Sequence, residues 1–174
     1  LFGLGTSYKV GKRSTAYANV TQNYRAINFT DIRVNNPNVR VDTNIRDEYG
    51  FTAELGFRGL VSDYLLYDVS GFYIFYGDKI GLAPITGSIQ KQRTNIGDAQ
   101  NYGVESLIEV DWIQAFNEES KWQLKTFFNG SFIDANYISS KEPNYVGNKV
   151  EYVSTWMTRA GATVGKERWE LKFQ

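Results

Sequence analysis

Residues 47–58 read DEYGFTAELGFR and residues 65–76 read LLYDVSGFYIFY. In the first stretch Tyr49, Phe51, Ala53, Leu55 and Phe57 take every second position. Glu48, Gly50, Thr52, Glu54, Gly56 and Arg58 lie between them. Successive side chains of an extended chain point to opposite faces, so this is one apolar face backed by one polar face. The second stretch repeats the pattern with Leu65, Tyr67, Val69, Gly71, Tyr73 and Phe75 on one face. Its other face is mixed, with Asp68 and Ser70 beside Leu66, Phe72, Ile74 and Tyr76. Gly59 to Asp63 supplies a short turn, and the two stretches form a hairpin.

The same alternation recurs along the chain. Strands are expected at about 1–9, 14–24, up to Trp112, 122–135, 150–164 and from Trp169 onward. Tyr102, Val104, Ile108, Val110 and Trp112 oppose Asn101, Glu105, Glu109 and Asp111. Trp122, Leu124, Phe128 and Phe132 oppose Gln123, Lys125, Asn129 and Ser131. Long polar connections are expected at 25–46, 77–91 and 136–149, a moderate one at 115–121, and tight turns at 10–13 and 165–168. About eight antiparallel strands result, joined by connections that alternate short and long.

Composition narrows the class. The 174 residues hold 42% hydrophobic and 16% aromatic residues, with three prolines and no run of apolar residues long enough for a spanning helix. A helical membrane protein is excluded. A membrane barrel is not, because alternating strands average to a polar-looking sequence. Lys plus Arg equals Asp plus Glu at 19 each, which argues against a nucleic-acid partner. Cysteine and histidine are absent, so disulfides, thiol chemistry, Ser-His-Asp triads and histidine zinc sites are excluded within the chain. Glu105 and Glu109 share a strand face at roughly 13 Å by the rise per residue, beyond the roughly 5–9.5 Å of a glycosidase pair. They read as wall-lining charges, and no enzyme activity or cofactor is expected.

Long strands, short turns at one end, long loops at the other and tryptophans at strand ends favour a transmembrane barrel. A soluble sandwich or lipocalin-like barrel, with the apolar face turned inward, is the alternative. In the membrane reading Tyr49, Phe51, Leu55, Phe57, Val104 and Phe128 face lipid. Glu48, Glu54, Arg58, Asp68, Glu105 and Lys125 face the lumen, because a charge at mid-bilayer costs a few kcal/mol.

The run Tyr17-Ala18-Asn19-Val20-Thr21-Gln22-Asn23-Tyr24-Arg25, followed by Phe29, Glu48 and Glu54-Leu55-Gly56, resembles the barrel of TonB-dependent outer-membrane receptors. Asn95-Ile96-Gly97 before Gly103-Val104-Glu105, and Gly147-Asn148-Lys149-Val150, are similar to further motifs of that family. The phrasing around Arg93 to Asp98 and Asp47 to Gly50 is most similar to ferric dicitrate receptors. The resemblance implies a barrel of about 22 strands around a globular plug. Residues 1–174 would then be part of one barrel domain, a section of its C-terminal half, with the plug, the TonB-contacting motif and the C-terminal strands outside the chain. No signal peptide opens it, and Leu1 to Gly5 already reads as strand.

The resemblance further implies a location in the outer membrane of a Gram-negative bacterium. The partners would be a ferric chelate, TonB acting through the plug, and the lipid and lipopolysaccharide around the barrel. Ligand capture would fall to the long loops, on Arg25, Arg33, Arg40, Gln92 and Arg93, with Arg46 and Lys91 nearby. Guanidinium forks suit carboxylates because they donate two parallel hydrogen bonds. The bland alternative is that these are solvated loop charges or contacts to lipopolysaccharide phosphates. Tyr24-Arg25-Ala26 and Asn36-Pro37-Asn38 are also similar to haem-receptor motifs, but residues 27–35 lack the histidine such receptors use. Three readings stay open: uptake of a ferric chelate or another ligand such as cobalamin or a glycan, a non-transporting membrane barrel, and a soluble β-barrel binding module.

Overall fold

The computed structural model describes residues 1–33, 35–140 and 145–174. The hairpin that decides the sequence reading forms as β4 (Glu48–Val61) and β5 (Leu65–Pro84). Its register pairs Phe51 with Phe75 and Phe57 with Val69, and Ser62 takes a left-handed turn conformation at φ 54°. The rings of Phe51 and Phe75 stack at 5.8 Å, and those of Phe57 and Tyr67 lie 5.6 Å apart. Such cross-strand aromatic pairs are the unit of sheet stabilisation, each contributing roughly 0.2–1 kcal/mol.

Around this hairpin one sheet assembles from β1 (Gly3–Lys9), β2 (Ser14–Arg25), β6 (Lys91–Asp111), β7 (Trp122–Ser140), β8 (Trp156–Lys166) and β9 (Trp169–Phe173). The order is β1-β2-β4-β5-β6-β7-β8-β9, with every neighbouring pair antiparallel. Among the described residues β1 and β9 are open edges. The turns at 10–13, 62–64, 112–121 and 167–168 lie at one end, here the lower. The connections 26–47, 85–90 and the one following β7 lie at the upper end.

Register carries the two faces across the whole sheet, because directly paired residues point the same way. One row runs Ala18–Leu55–Gly71–Val104–Phe132–Trp156 and contains no charge. The row one residue away, on the opposite face, runs Tyr17–Gly56–Ser70–Glu105–Ser131. Next to that, Arg58–Asp68–Leu107–Asn129–Arg159 adds charges to the same side. The face assignment expected from alternation therefore holds strand by strand. An antiparallel sheet with an apolar outside and a charged inside is a section of a barrel wall.

Several element boundaries differ from the sequence reading. Residues 77–91 are not one long loop. The β5–β6 hairpin continues above a bulge, pairing Ile80 with Asn95 and Pro84 with Lys91, so only 85–90 is loop. The bulge places Asp78 at φ 55° and Gly97 at φ 148°. Asp78 tolerates this conformation, and its backbone N–H donates to the Asp98 carboxylate at 3.0 Å. A Cβ on Gly97 would lie 1.9 Å from the Ser139 carbonyl oxygen, so only glycine fits. Polar and small residues at 77–84 hid this extension from a reading based on alternation.

β7 reaches Ser140 rather than 135, and β8 starts at Trp156 rather than 150. Residues 150–155 still run beside β7, with Val150 N donating to Ala135 O at 3.0 Å and Ile133 N to Thr155 O at 2.8 Å. Tyr152 at φ 63° breaks the extended run. Of the loop expected at 136–149, residues 141–144 lie outside the described residues. The connection after β6 contains a short helix, α2 (Trp112–Phe116), capped by the Asp111 carboxylate accepting from Gln114 N at 3.1 Å. The connection 26–47 contains α1 (Phe29–Ile32) and a short strand β3 (Val39–Val41).

β3 pairs parallel with β6, Arg40 opposite Gln92 and Val41 opposite Arg93. That part of β6 already holds β5 on its other edge, and β7 reaches β6 only from Gly97 downward. The 26–47 loop therefore crosses β5 and takes the lane above the end of β7. A small core of Ile96, Ala99, Ala135, Tyr137 and Val150 sits just below, where the segment after β7 folds back over the sheet.

Candidate functional site

The upper end is built on the buried carboxylate of Asp31. Asn28 and Asp31 form a reciprocal cap around α1: Asn28 Oδ1 accepts from the N–H groups of Thr30 and Asp31, and Asp31 Oδ2 accepts from Asn28 N at 3.0 Å. The cap turns the Asp31 carboxylate back toward the end of β2, where Arg25 Nη2 lies 2.8 Å from Oδ2 and 2.9 Å from Oδ1. Arg25 Nη1 reaches Glu48 Oε1 at 2.8 Å, and the same oxygen accepts from Ile80 N at 2.8 Å. Arg93 Nη1 approaches Asp31 Oδ1 at 3.4 Å. Asp31 is only 1% exposed. Burial alone would raise its pKa, but the Asn28 N–H and the Arg25 guanidinium more than offset this, and the carboxyl sits below its ordinary range.

A second set of contacts ties the rest of the loop to the β5–β6 arm. Thr94 Oγ1 donates to Asp42 Oδ2 at 2.6 Å. Asn95 accepts from Arg46 N at 2.7 Å and donates to Arg46 O at 2.9 Å. Arg46 pairs with Asp78 at 2.7 Å.

The five residues singled out in the sequence thus gather at one end of the wall. Arg25 and Arg93 meet on Asp31. Arg40 and Gln92 are register partners. Arg33 follows α1, with its guanidinium 5.4 Å above the Phe29 ring. Arg33 and Arg40 are exposed and have no carboxylate partner among the described residues. Arg93 has a buried Nε with no hydrogen-bond acceptor among the described residues. Sequence reasoning missed Asp31, Glu48 and Asn95 as organisers of this end. The Asn28-x-x-Asp31 spacing is a capping-box signal and could have exposed the first of them.

The inner wall below is a polar surface. Tyr17 Oη donates to Asp68 at 3.0 Å and lies 3.3 Å from Glu54. Asn19 Nδ2 donates to Glu54 at 2.8 Å, and the Arg58 guanidinium lies 5.2 Å from the Tyr17 ring centre. Gly56 makes room for that ring, since a Cβ there would sit 2.2 Å from Tyr17 Cζ. Among the described residues no group of His, Cys, Asp and Glu has the arrangement of a metal site.

The family model for "TonB dependent receptor-like, beta-barrel" matches residues 1–173. The chain belongs to that family. No curated protein matches it. Among solved structures, the copper transporter OprC aligns with a TM-score of 0.71 at 16% identity, over 98% of this chain and 24% of that one. The ferric citrate transporter FecA in its unliganded form gives 0.70 at 16% identity, over 98% and 24%. The ferric yersiniabactin uptake receptor FyuA from Yersinia pestis gives 0.63 at 21% identity, over 94% and 22%. At these identities the likeness shows the fold. The chain spans about a quarter of the length of the solved structures it matches.

Proposed function

We propose that this chain forms wall and outer loops of an outer-membrane receptor that captures an anionic ferric chelate, of the ferric dicitrate kind, and passes it inward. In this reading TonB acts through a plug inside the barrel, the apolar face meets lipid, and the loops stand outside the cell near lipopolysaccharide. Family membership and the two-faced wall support the transport reading. The observation that carries the ligand class is the gathering of Arg25, Arg33, Arg40, Gln92 and Arg93 at one end.

The cations divide into two kinds. Arg25 is spent on Asp31 and Glu48 and acts as a brace. Arg33 and Arg40, both exposed and without a carboxylate partner among the described residues, remain for a carboxylate-rich chelate. The test is radiolabelled ferric citrate binding to the full-length receptor. Arg33→Ala with Arg40→Ala is expected to weaken binding by about 10-fold or more, at roughly 1.5–3 kcal/mol per charged hydrogen bond lost. Unchanged binding in that double variant would refute the assignment.

A further inference from the structure

We propose that the β8–β9 turn carries a site for the phosphate of an anionic phospholipid, formed by Lys166 between the paired positions of Trp122 and Trp169, with Arg168 in the adjoining turn as a second cation. The proposal rests on the reading that this wall spans an outer membrane with its short turns on the periplasmic side.

Lys166 pairs in register with Trp122 on β7 and with Trp169 on β9, so the three side chains share one row of the outward face. The row above it is Leu124–Val164–Leu171, wholly apolar. The row below is the turn itself. Trp112 stands at the same margin, its Nε1 donating to Thr126 Oγ1 at 2.9 Å. Indoles at the limit of an apolar band mark the depth at which hydrocarbon gives way to headgroups. Lys166 is the cation on that outward row.

The carboxylates nearby are engaged elsewhere. Glu167 holds Lys121 at 2.8 Å, and Glu170 points to the opposite face, 3.2 Å from Lys172. Among the described residues neither Lys166 nor Arg168 has an ion pair, and both are exposed. The Lys166 Nζ sits 4.8 Å from the Trp122 ring centre, a cation–π contact that holds the ammonium at the indole instead of leaving it free to range. Two unmatched positive charges at headgroup depth call for an anion. A net-anionic headgroup such as phosphatidylglycerol fits better than phosphatidylethanolamine, whose ammonium would meet both cations. Lipopolysaccharide is confined to the opposite leaflet in this reading.

The test uses the full-length receptor in bilayers containing either brominated phosphatidylglycerol or brominated phosphatidylcholine, the bromines on the acyl tails, and reads tryptophan fluorescence. The expected result is stronger quenching by phosphatidylglycerol at equal mole fraction. That corresponds to about five-fold local enrichment for each cation near an anionic headgroup. Lys166→Gln with Arg168→Gln is expected to abolish the preference, and Lys166→Arg with Arg168→Lys to keep it. Equal quenching by the two lipids in the unmodified receptor, or a preference that survives the Gln variant, would overturn the site. Absence of tail quenching by either lipid would overturn the membrane reading itself, and is thereby distinguished from failure of the site alone.

Discussion

Arg25 and Asp31 form the pivot of the upper end: one guanidinium nitrogen lies within 2.9 Å of both carboxylate oxygens of an acid sealed from water. The arginine rides on the last residue of β2, and the acid on a single helical turn whose cap aims it. Neither α1 nor β3 is long enough to hold itself, so the 26–47 loop depends on this pair and on its contacts with the β5–β6 arm.

Removing the acid should release the loop without dissolving the wall. Asp31→Asn keeps the size but loses the charge that Arg25 and Arg93 share, and leaves their donors short of an acceptor. A buried charge pair deprived of one partner costs up to ~3–5 kcal/mol; with Arg25 partly open to water, ~1–3 kcal/mol is expected. Amide exchange should accelerate over residues 26–47 and stay unchanged in β4 and the lower half of β5. Uniform acceleration across the sheet would show that the loop is not a separate unit.

Acidification should loosen the same loop. The folded carboxyl of Asp31 titrates below its unfolded value of about 3.9. The sign follows from linkage: its contribution is full above that unfolded value and is lost as pH falls through the lower, folded one. Proteolysis or exchange of 26–47, corrected for intrinsic rates, should therefore be flat from neutrality to about pH 5 and rise below about pH 4. The Asp31→Asn variant should show a smaller rise, because the Asp47 carboxylate, lowered likewise by Tyr24 and by the Ile27 N–H, still titrates in the same loop.

The two faces of β4 should respond oppositely to charge. Leu55 lies in the uncharged row, and Leu55→Lys is expected to cost ~2–4 kcal/mol in equilibrium unfolding of the full-length receptor from bilayers. Thr52, on the inner face beside Thr21, accepts from Asn23 Nδ2 at 2.7 Å, and lysine there is expected to cost only that hydrogen bond, ~0.5–1.5 kcal/mol. Equal costs at the two positions would contradict the orientation of the wall.

Gly97 tests the bulge. Gly97→Ala places a methyl group against the Ser139 carbonyl in a backbone conformation that L residues avoid. A cost of ~1–3 kcal/mol is expected, with faster exchange concentrated at 77–97. Gly87, also at positive φ but with open space around it, should give a smaller effect confined to the 85–90 loop.

The wall was legible because period-two alternation is a local signal that register only propagates. Phe51 faces outward for the same reason in the sequence as in the sheet. What escaped notice depends on distant partners. Ile80 to Pro84 lack clean alternation and become strand only because Lys91 to Asn95 lie opposite. Val39 to Val41 become strand only because β6 has a vacant edge above Gly97. Among the site residues, charge type and loop position were readable for Arg33 and Arg40. The engagement of Arg25 with a buried aspartate was not, because it depends on an asparagine cap that aims Asp31 from within a polar connection of no clear periodicity.

The parallel pairing of β3 with β6 turns the crossing loop into a bridge, with abutments on β2 and β4 at one end and on the far side of β6 at the other. In the proposed reading, a chelate at Arg40 meets a strand already paired with β6, so less of its binding energy is consumed in ordering peptide. The bridge also joins two outer segments into one unit, since Arg40 pairs with Gln92 and Arg46 with Asp78 on the arm that rises from the bulge.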